Sequence, residues 1–242
     1  MSETKLQYAS LDVFTDTRYT GNPLGLVHLP SNTKLSQDEK QLIAREFNYS
    51  ETVFLHDAAD ANKNEWTVDI FTKTNEIPFA GHPTIGTTCY ALSKAAGEQT
   101  SGTVTGTFNI KAGKVDLEYD VSTRRAKVSI PHDVHIHSKR FSSSELKELH
   151  PYVPSGTEPP VVSIVNGMTF ILVEMSDLDT LAKVQTTAKA ASKDGLDEEW
   201  ADTLLGIYFF TRLPEQSDGT MRLRTRMIST TLEDPATGSA VS

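Results

Sequence analysis

Three residues in this chain stand where their type and surroundings could support proton transfer or anion binding: Glu51, His82 and Asp234. Glu51 lies in Ser50-Glu51-Thr52-Val53-Phe54, where a helical pattern stops and a β-branched strand begins. A carboxylate at such a junction can point into a cleft, lose part of its hydration and serve as a general acid/base. The same position also suits an ordinary solvated loop glutamate. His82 belongs to Gly81-His82-Pro83, a sharp break followed by a helical run, Thr84-Ile85-Gly86-Thr87-Thr88-Cys89. Proline favours the first helical position, so the pattern predicts His82 at the mouth of a helix. There the unpaired N–H groups and the helix dipole attract anions. Gly86 would let another part of the backbone approach the first turns closely. The alternative role for His82 is a cap or a loop hydrogen bond.

Asp234 opens an echo of that stretch. His82-Pro83-Thr84-Ile85-Gly86-Thr87 matches Asp234-Pro235-Ala236-Thr237-Gly238-Ser239 as x-P-x-x-G-S/T, residue 82 against residue 234, an offset of 152. A second echo pairs residues 21–27 (GNPLGLV) with residues 167–173 (GMTFILV), an offset of 146. Two echoes in the same order predict two similar halves. Residues 1–130 form the first and residues 131–242 the second. The chain stops in what should be the first turn of the second focal helix, whereas the first half continues well beyond its copy. A further C-terminal segment is therefore expected.

The elements that must position these residues follow from patterning. Alternation predicts strands over residues 6–14, 24–29, 66–72, 161–165, 168–173, 204–211 and 221–227, and three more between residues 102 and 130. Residues 36–47 read as a helix whose Ser36 and Glu39 form a capping box. The focal helix runs to about Ala96 and ends at Gly97. Short helices are expected over residues 142–150 and from Ser176, with a polar or weakly helical stretch over residues 186–200. His132, His135 and His137 have a spacing that could suggest a metal, but no carboxylate or thiol partner stands at ligand spacing, so they read as a polar strand edge.

Composition narrows the class. The chain has 242 residues, a net charge of −9, 38% apolar and 23% charged residues, which suits a water-soluble globular protein. No basic cluster marks nucleic acid or an anionic membrane as a partner. No apolar run approaches the roughly 20 residues of a membrane helix, and no secretory signal core opens the chain. A cytoplasmic location is the default. One cysteine, Cys89, excludes an internal disulfide and a thiol-pair mechanism.

Five segments in order resemble the PhzF family of phenazine-biosynthesis-like isomerases and epimerases. They are Asp12-Val13-Phe14-Thr15-Asp16, Gly21-Asn22-Pro23, the run from Asn48 to Phe54, the run from Phe79 to Thr87, and Glu233 to Ser239. The resemblance implies an α+β, diaminopimelate epimerase-like fold: two similar domains, each with a β-sheet wrapped around a central helix, and an active site in the cleft between them. It makes Glu51 the catalytic glutamate, His82 the active-site histidine and Asp234 the active-site aspartate. A homodimer is implied as well. Substrate contacts are expected from Asn22, Ser50, Gly81, Thr84, Gly238 and Ser239, although Asn22 equally suits turn chemistry and Asp234 an N-cap. Thr87 and Ser239 could simply satisfy backbone groups in their helix turns.

The implied reaction moves a proton between carbons of a small carboxylate-bearing substrate, with no organic cofactor and no metal. Cys89 cannot supply the thiol pair of related epimerases, which points to carboxylate chemistry. An amino-acid or hydroxy-acid epimerase and a non-catalytic small-molecule binder on the same scaffold are the competing readings.

Overall fold

The computed structural model describes residues 5–58, 64–130, 133–215, 217–234 and 237–238. The chain divides into two compact units, Met1–Pro131 and His132–Ser242. The first contains β1 (Gln7–Val13), β2 (Asn22–Leu29), α1 (Gln37–Phe47), β3 (Glu51–His56), β4 (Glu65–Thr72), β5 (Glu76–Ile77), α2 (Gly81–Ala96), β6 (Thr103–Ile110), β7 (Gly113–Asp120) and β8 (Arg125–Val128). The second contains β9 (His135–Ile136), α3 (Ser143–Lys147), β10 (Val161–Val165), β11 (Met168–Glu174), α4 (Leu178–Ala182), β12 (Leu204–Leu213), β13 (Arg222–Ser229) and β14 (Leu232–Asp234), with a 3-10 turn at Glu198–Trp200.

In the first unit the sheet runs β1-β2-β3-β4-β6-β7-β8, with β5 paired to β4. It curls around α2, which packs against β1, β2, β3, β6, β7 and β8. This central helix is made of small residues, and most of its hydroxyls fold back on its own backbone. Thr84 Oγ1 donates to the Ala80 carbonyl at 2.7 Å and Thr88 Oγ1 to the Thr84 carbonyl at 2.8 Å. Both threonines can therefore be buried without losing hydrogen bonds. Gly86 lets the helix lie against the sheet, because a Cβ there would fall 2.7 Å from Val13 Cγ2 and 2.8 Å from Leu24 Cδ2.

Strand alternation divides β3 between two layers. Phe54 packs on the α1 side with Val27, Leu29, Ala44 and Phe71. Glu51, Val53 and Leu55 therefore face the α2 side. α1 has the expected capping box at Ser36 and Glu39, and it ends at Asn48 in the left-handed conformation, φ 57°. That sharp stop turns the chain directly into β3 and Glu51.

Beneath α1 lies a partly buried polar cluster. Lys40 Nζ reaches Asp69 Oδ2 at 2.5 Å, and His56 Nε2 reaches the same oxygen at 2.7 Å. Burial works against ionisation of Asp69, but the hydrogen bonds from His56 and then Lys40 outweigh it and hold the carboxyl below its ordinary value. A carboxylate with a lowered folded-state pKa stabilises above its unfolded value, about 3.9, and loses that contribution as pH falls through the folded value. In urea titrations at a series of pH values, the stability gap between wild type and Asp69→Asn is expected to be widest near neutrality and to close below about pH 4.

In the second unit the sheet runs β14-β13-β12-β11-β10-β9. Its core gathers Phe141, Leu146, Val161, Ile171, Val173, Ile207 and Phe209. The pairing pattern of β1 to β5 recurs in β10 to β14: antiparallel, parallel, antiparallel, antiparallel. A helix lies in the parallel crossover each time, α1 and then α4. The equal hairpins that pair Ile70 with Ile77 and Met227 with Asp234 superpose Ile70 on Met227. Val53 pairs with Ile70 and Tyr208 with Met227, and Leu26 pairs with Val53 and Leu172 with Tyr208, so the offset of 146 between residues 21–27 and 167–173 is also the register of the repeat.

Two expectations need correction. Pro83 is the third residue of α2, not the first, since the helix begins at Gly81 with Ala80 as its N-cap. Proline is tolerated there because no first-turn N–H has an intrahelical acceptor. Nor does the motif echo follow the register. Asp234 pairs with Met227 where Ile77 pairs with Ile70, so Asp234 is structurally equivalent to Ile77 rather than to His82. The second half reaches its x-P-x-x-G-S/T motif sooner after its last strand pair. The stretch expected to open a second central helix lies outside the described residues, apart from Thr237 and Gly238.

Candidate active site

Glu51 and His82 meet in the first unit. Glu51 is the first residue of β3 and His82 the second of α2, and they are 6% and 2% exposed. His82 Nδ1 lies 3.1 Å from Glu51 Oε2. The approach lacks the alignment of a hydrogen bond, and Glu51 Oε2 has no hydrogen-bond partner.

Among the described residues five buried side-chain atoms lack a hydrogen-bond partner: Asn22 Nδ2, Glu51 Oε2, Thr52 Oγ1, His82 Nε2 and Thr87 Oγ1. Each such atom costs about 1–3 kcal/mol, so a concentration of them asks for a functional explanation. Asn22, Glu51 and His82 are three residues singled out by sequence. Asn22 begins β2 and alternates with Leu24 onto the α2 side, as does Glu51. Thr52 points the other way, towards α1, where its Oγ1 would be 3.2 Å from a Cβ on Gly25. Thr87 was expected to satisfy its own helix turn. It does not, and is fully buried with its hydroxyl unpaired.

The start of α2 has no side-chain cap and no acidic residue in its first turn. Thr84 is not an available donor, contrary to expectation, because both its N–H and its hydroxyl bond the Ala80 carbonyl. Pro83 has no N–H. The helix start therefore offers the N–H groups of Gly81 and His82 to an anion. A Cβ on Gly81 would meet nothing within 4 Å. Ser50 is half-buried immediately before Glu51.

In the second unit, Asp234 ends β14 and is 8% exposed. The Thr237 hydroxyl donates to Asp234 Oδ2. The equivalent of Glu51 in this unit is Gly206, since Thr52 pairs with Gly25 as Ile207 pairs with Ile171. Gly238 is described and Ser239 lies outside the described residues.

Sequence reasoning missed the residue that secures β14. Arg226 grips Glu233 through Nε to Oε1 at 2.6 Å and Nη2 to Oε2 at 2.7 Å. Its Nη1 also donates to the carbonyls of Leu181, Ala182 and Val184 at the end of α4. The signal was present, in a basic alternating strand followed through a tight hairpin by an acidic one. Lysine cannot reproduce this fork. Arg226→Lys is expected to destabilise the protein by about 1–3 kcal/mol, read as a lower urea midpoint with an unchanged slope.

These observations can be set beside known proteins. The family model for phenazine biosynthesis-like proteins, PhzC-PhzF, matches residues 11–242. The chain belongs to that family. An isomerase of Mesorhizobium japonicum, named as uncharacterised, is 29% identical over 246 residues, 97% of this chain and 78% of the relative. The trans-2,3-dihydro-3-hydroxyanthranilate isomerase of Pseudomonas chlororaphis is 40% identical over 80 residues, 33% of this chain and 27% of the relative. The solved structure of a protein described as a predicted epimerase from Pseudomonas aeruginosa matches with a TM-score of 0.68 at 21% identity, covering 98% of this chain and 79% of that one. The PhzF-family chain has the α+β, diaminopimelate epimerase-like fold of these proteins and of related racemases, and it is an enzyme of the isomerase class. Among the described residues no helix is long and apolar enough to cross a membrane.

Proposed function

We propose that this PhzF-family member moves a proton between carbons of a small substrate bearing a carboxylate. The observation that carries the proposal is the buried Glu51–His82 contact, 3.1 Å long, in which Glu51 Oε2 and the outward-facing His82 Nε2 have no hydrogen-bond partner and which stands at an uncapped helix start. The substrate carboxylate docks on the N–H groups of Gly81 and His82. Glu51 removes a proton from a carbon acidified by conjugation and returns it to another carbon. His82 holds Glu51 on one side and offers Nε2 to the substrate on the other. Asn22 orients a substrate acceptor. Asp234 is assigned an orienting role on its motif alone. The acidic carbon and the bound anion supply the chemistry, so the step needs no organic cofactor. A homodimer in the cytoplasm completes the proposal on family grounds.

The test is incubation of the protein with trans-2,3-dihydro-3-hydroxyanthranilate, the compound named for the Pseudomonas chlororaphis relative, beside small amino and hydroxy acids. Proton NMR is expected to show a shifted double bond without added cofactor. Inversion of a centre without a shift would assign the chain to the epimerases instead. Turnover of none by folded protein would contradict the proposed substrate class.

A further inference from the structure

The second unit brings together three groups that sequence spacing kept apart. His135 and His137 alternate along β9 and the residue after it, and Asp197 arrives from the segment before β12. One ligand atom from each lies within 4.8 Å of the others. His135 Nε2 is 2.6 Å from Asp197 Oδ2, and His137 Nδ1 is 3.8 Å from the same oxygen. A tetrahedral zinc with bonds of about 2.0–2.1 Å needs its ligand atoms about 3.3 Å apart, so small side-chain movements would bring the three to coordination distance.

The surroundings fix these groups as second-layer partners fix metal ligands. Asp197 N–H donates to His137 Nδ1 at 3.2 Å, so the His137 proton sits on Nε2 and is donated to Ser163 Oγ at 2.9 Å. Ser163 passes a hydrogen bond to Thr169 at 2.6 Å, Thr169 to Thr203 at 2.8 Å, and Thr203 ends on the Leu204 carbonyl at 3.3 Å. Ser163, Thr169 and Thr203 are buried. This directed chain locks the tautomer of a fully buried imidazole, with its proton on Nε2; the Nδ1 lone pair accepts the Asp197 N–H, a 3.2 Å bond that an ion on Nδ1 would replace. Metal-binding histidines are held in the same way. His135 is held separately, stacked on Trp200 at 4.8 Å with 8° between the planes. Asp197 stands at the N-cap of the 3-10 turn that Trp200 ends, so one short element presents both the carboxylate and the platform for its partner.

We propose that His135, His137 and Asp197 bind a divalent ion of the zinc class. Two imidazoles and a carboxylate suit Zn²⁺, Co²⁺ or Ni²⁺ over Mg²⁺ or Ca²⁺. His135 and Asp197 are each about one-third exposed at the side chain, leaving the fourth position to water. The ion pins the irregular segment before β12 to the β9 edge of the sheet, a structural role separate from proton transfer. Without the ion, the proton between His135 and Asp197 keeps the same groups together.

The test titrates the full chain with Co²⁺ under visible absorbance and with Zn²⁺ by calorimetry. Trp200 fluorescence is followed under Ni²⁺ in a Trp66→Phe background. Asp197→Asn and His135→Gln remove half-exposed ligands. His28→Gln, from a His–Asp pair with a 2.8 Å contact elsewhere, is the control. One equivalent of metal is expected, with Co²⁺ ligand-field bands, quenching of Trp200, and at least about 100-fold weaker binding in the two ligand variants. Circular dichroism confirms that each variant is folded. Absence of saturable binding by the wild type, or wild-type affinity in either ligand variant, overturns the proposal and leaves a charge-paired strand edge.

Discussion

Glu51→Gln is expected to lower kcat/KM by about 10³- to 10⁴-fold, with the loss in kcat and little change in KM. Glutamine has nearly the volume of glutamate and fits the same start of β3, so the fold should survive. Stability should be unchanged or slightly higher, because the substitution replaces a buried carboxylate oxygen with no hydrogen-bond partner by a neutral group. This combination separates catalysis from architecture. A structural glutamate would show the reverse, a lower urea midpoint with activity retained per folded molecule. Steady-state kinetics and urea unfolding on the same preparation decide between them.

Phe54→Ala is expected to be the most damaging single change in the first unit, at about 3–5 kcal/mol. Phe54 is fully buried, and its ring meets Phe71 edge-on at a centroid distance of 5.5 Å. Val27, Leu29 and Ala44 close around it between the sheet and α1. A loss of that size is a large part of the usual 5–15 kcal/mol margin. Phe54 also shares β3 with Glu51 while facing the opposite layer, so loosening α1 frees the strand that presents the carboxylate. A urea midpoint should fall sharply and activity should disappear at lower denaturant than in the wild type. A destabilisation below about 1 kcal/mol would mean that the α1 layer repacks readily and does not position the site.

The parts of the fold that were legible in the sequence are those controlled by local chemistry. Ser36 and Glu39 announced α1, Asn48 its end and Gly97 the end of α2, because caps are short-range hydrogen-bond requirements. The echo at residues 21–27 and 167–173 was the true register of the repeat, since buried strands must keep their inward faces. The echo of His82 in Asp234 was a likeness of motif and not of place. A motif specifies its own turn, not the length of the connection before it. Pro83 misplaced the helix start because every first-turn position tolerates proline. Glu51 and His82 could be singled out, but their contact comes from the way β3 and α2 meet. Thr84 and Thr87 are both helix threonines in one run, yet one bonds its own backbone and the other has no partner, a difference set by helix phase against the sheet. No carboxylate stands at ligand spacing from His135 and His137 in the sequence because Asp197 is distant along the chain; the sheet edge and the 3-10 turn bring it beside them.

The most direct measurement of the central claim is hydrogen-isotope incorporation in D₂O. Wild type and Glu51→Gln would each be incubated with trans-2,3-dihydro-3-hydroxyanthranilate, and deuterium followed by NMR at each carbon. The account predicts deuterium at the carbon that receives the proton, entering at the rate of turnover in the wild type and at least about 10³-fold more slowly in the variant. Equal rates in the two proteins would contradict it and remove Glu51 from the reaction.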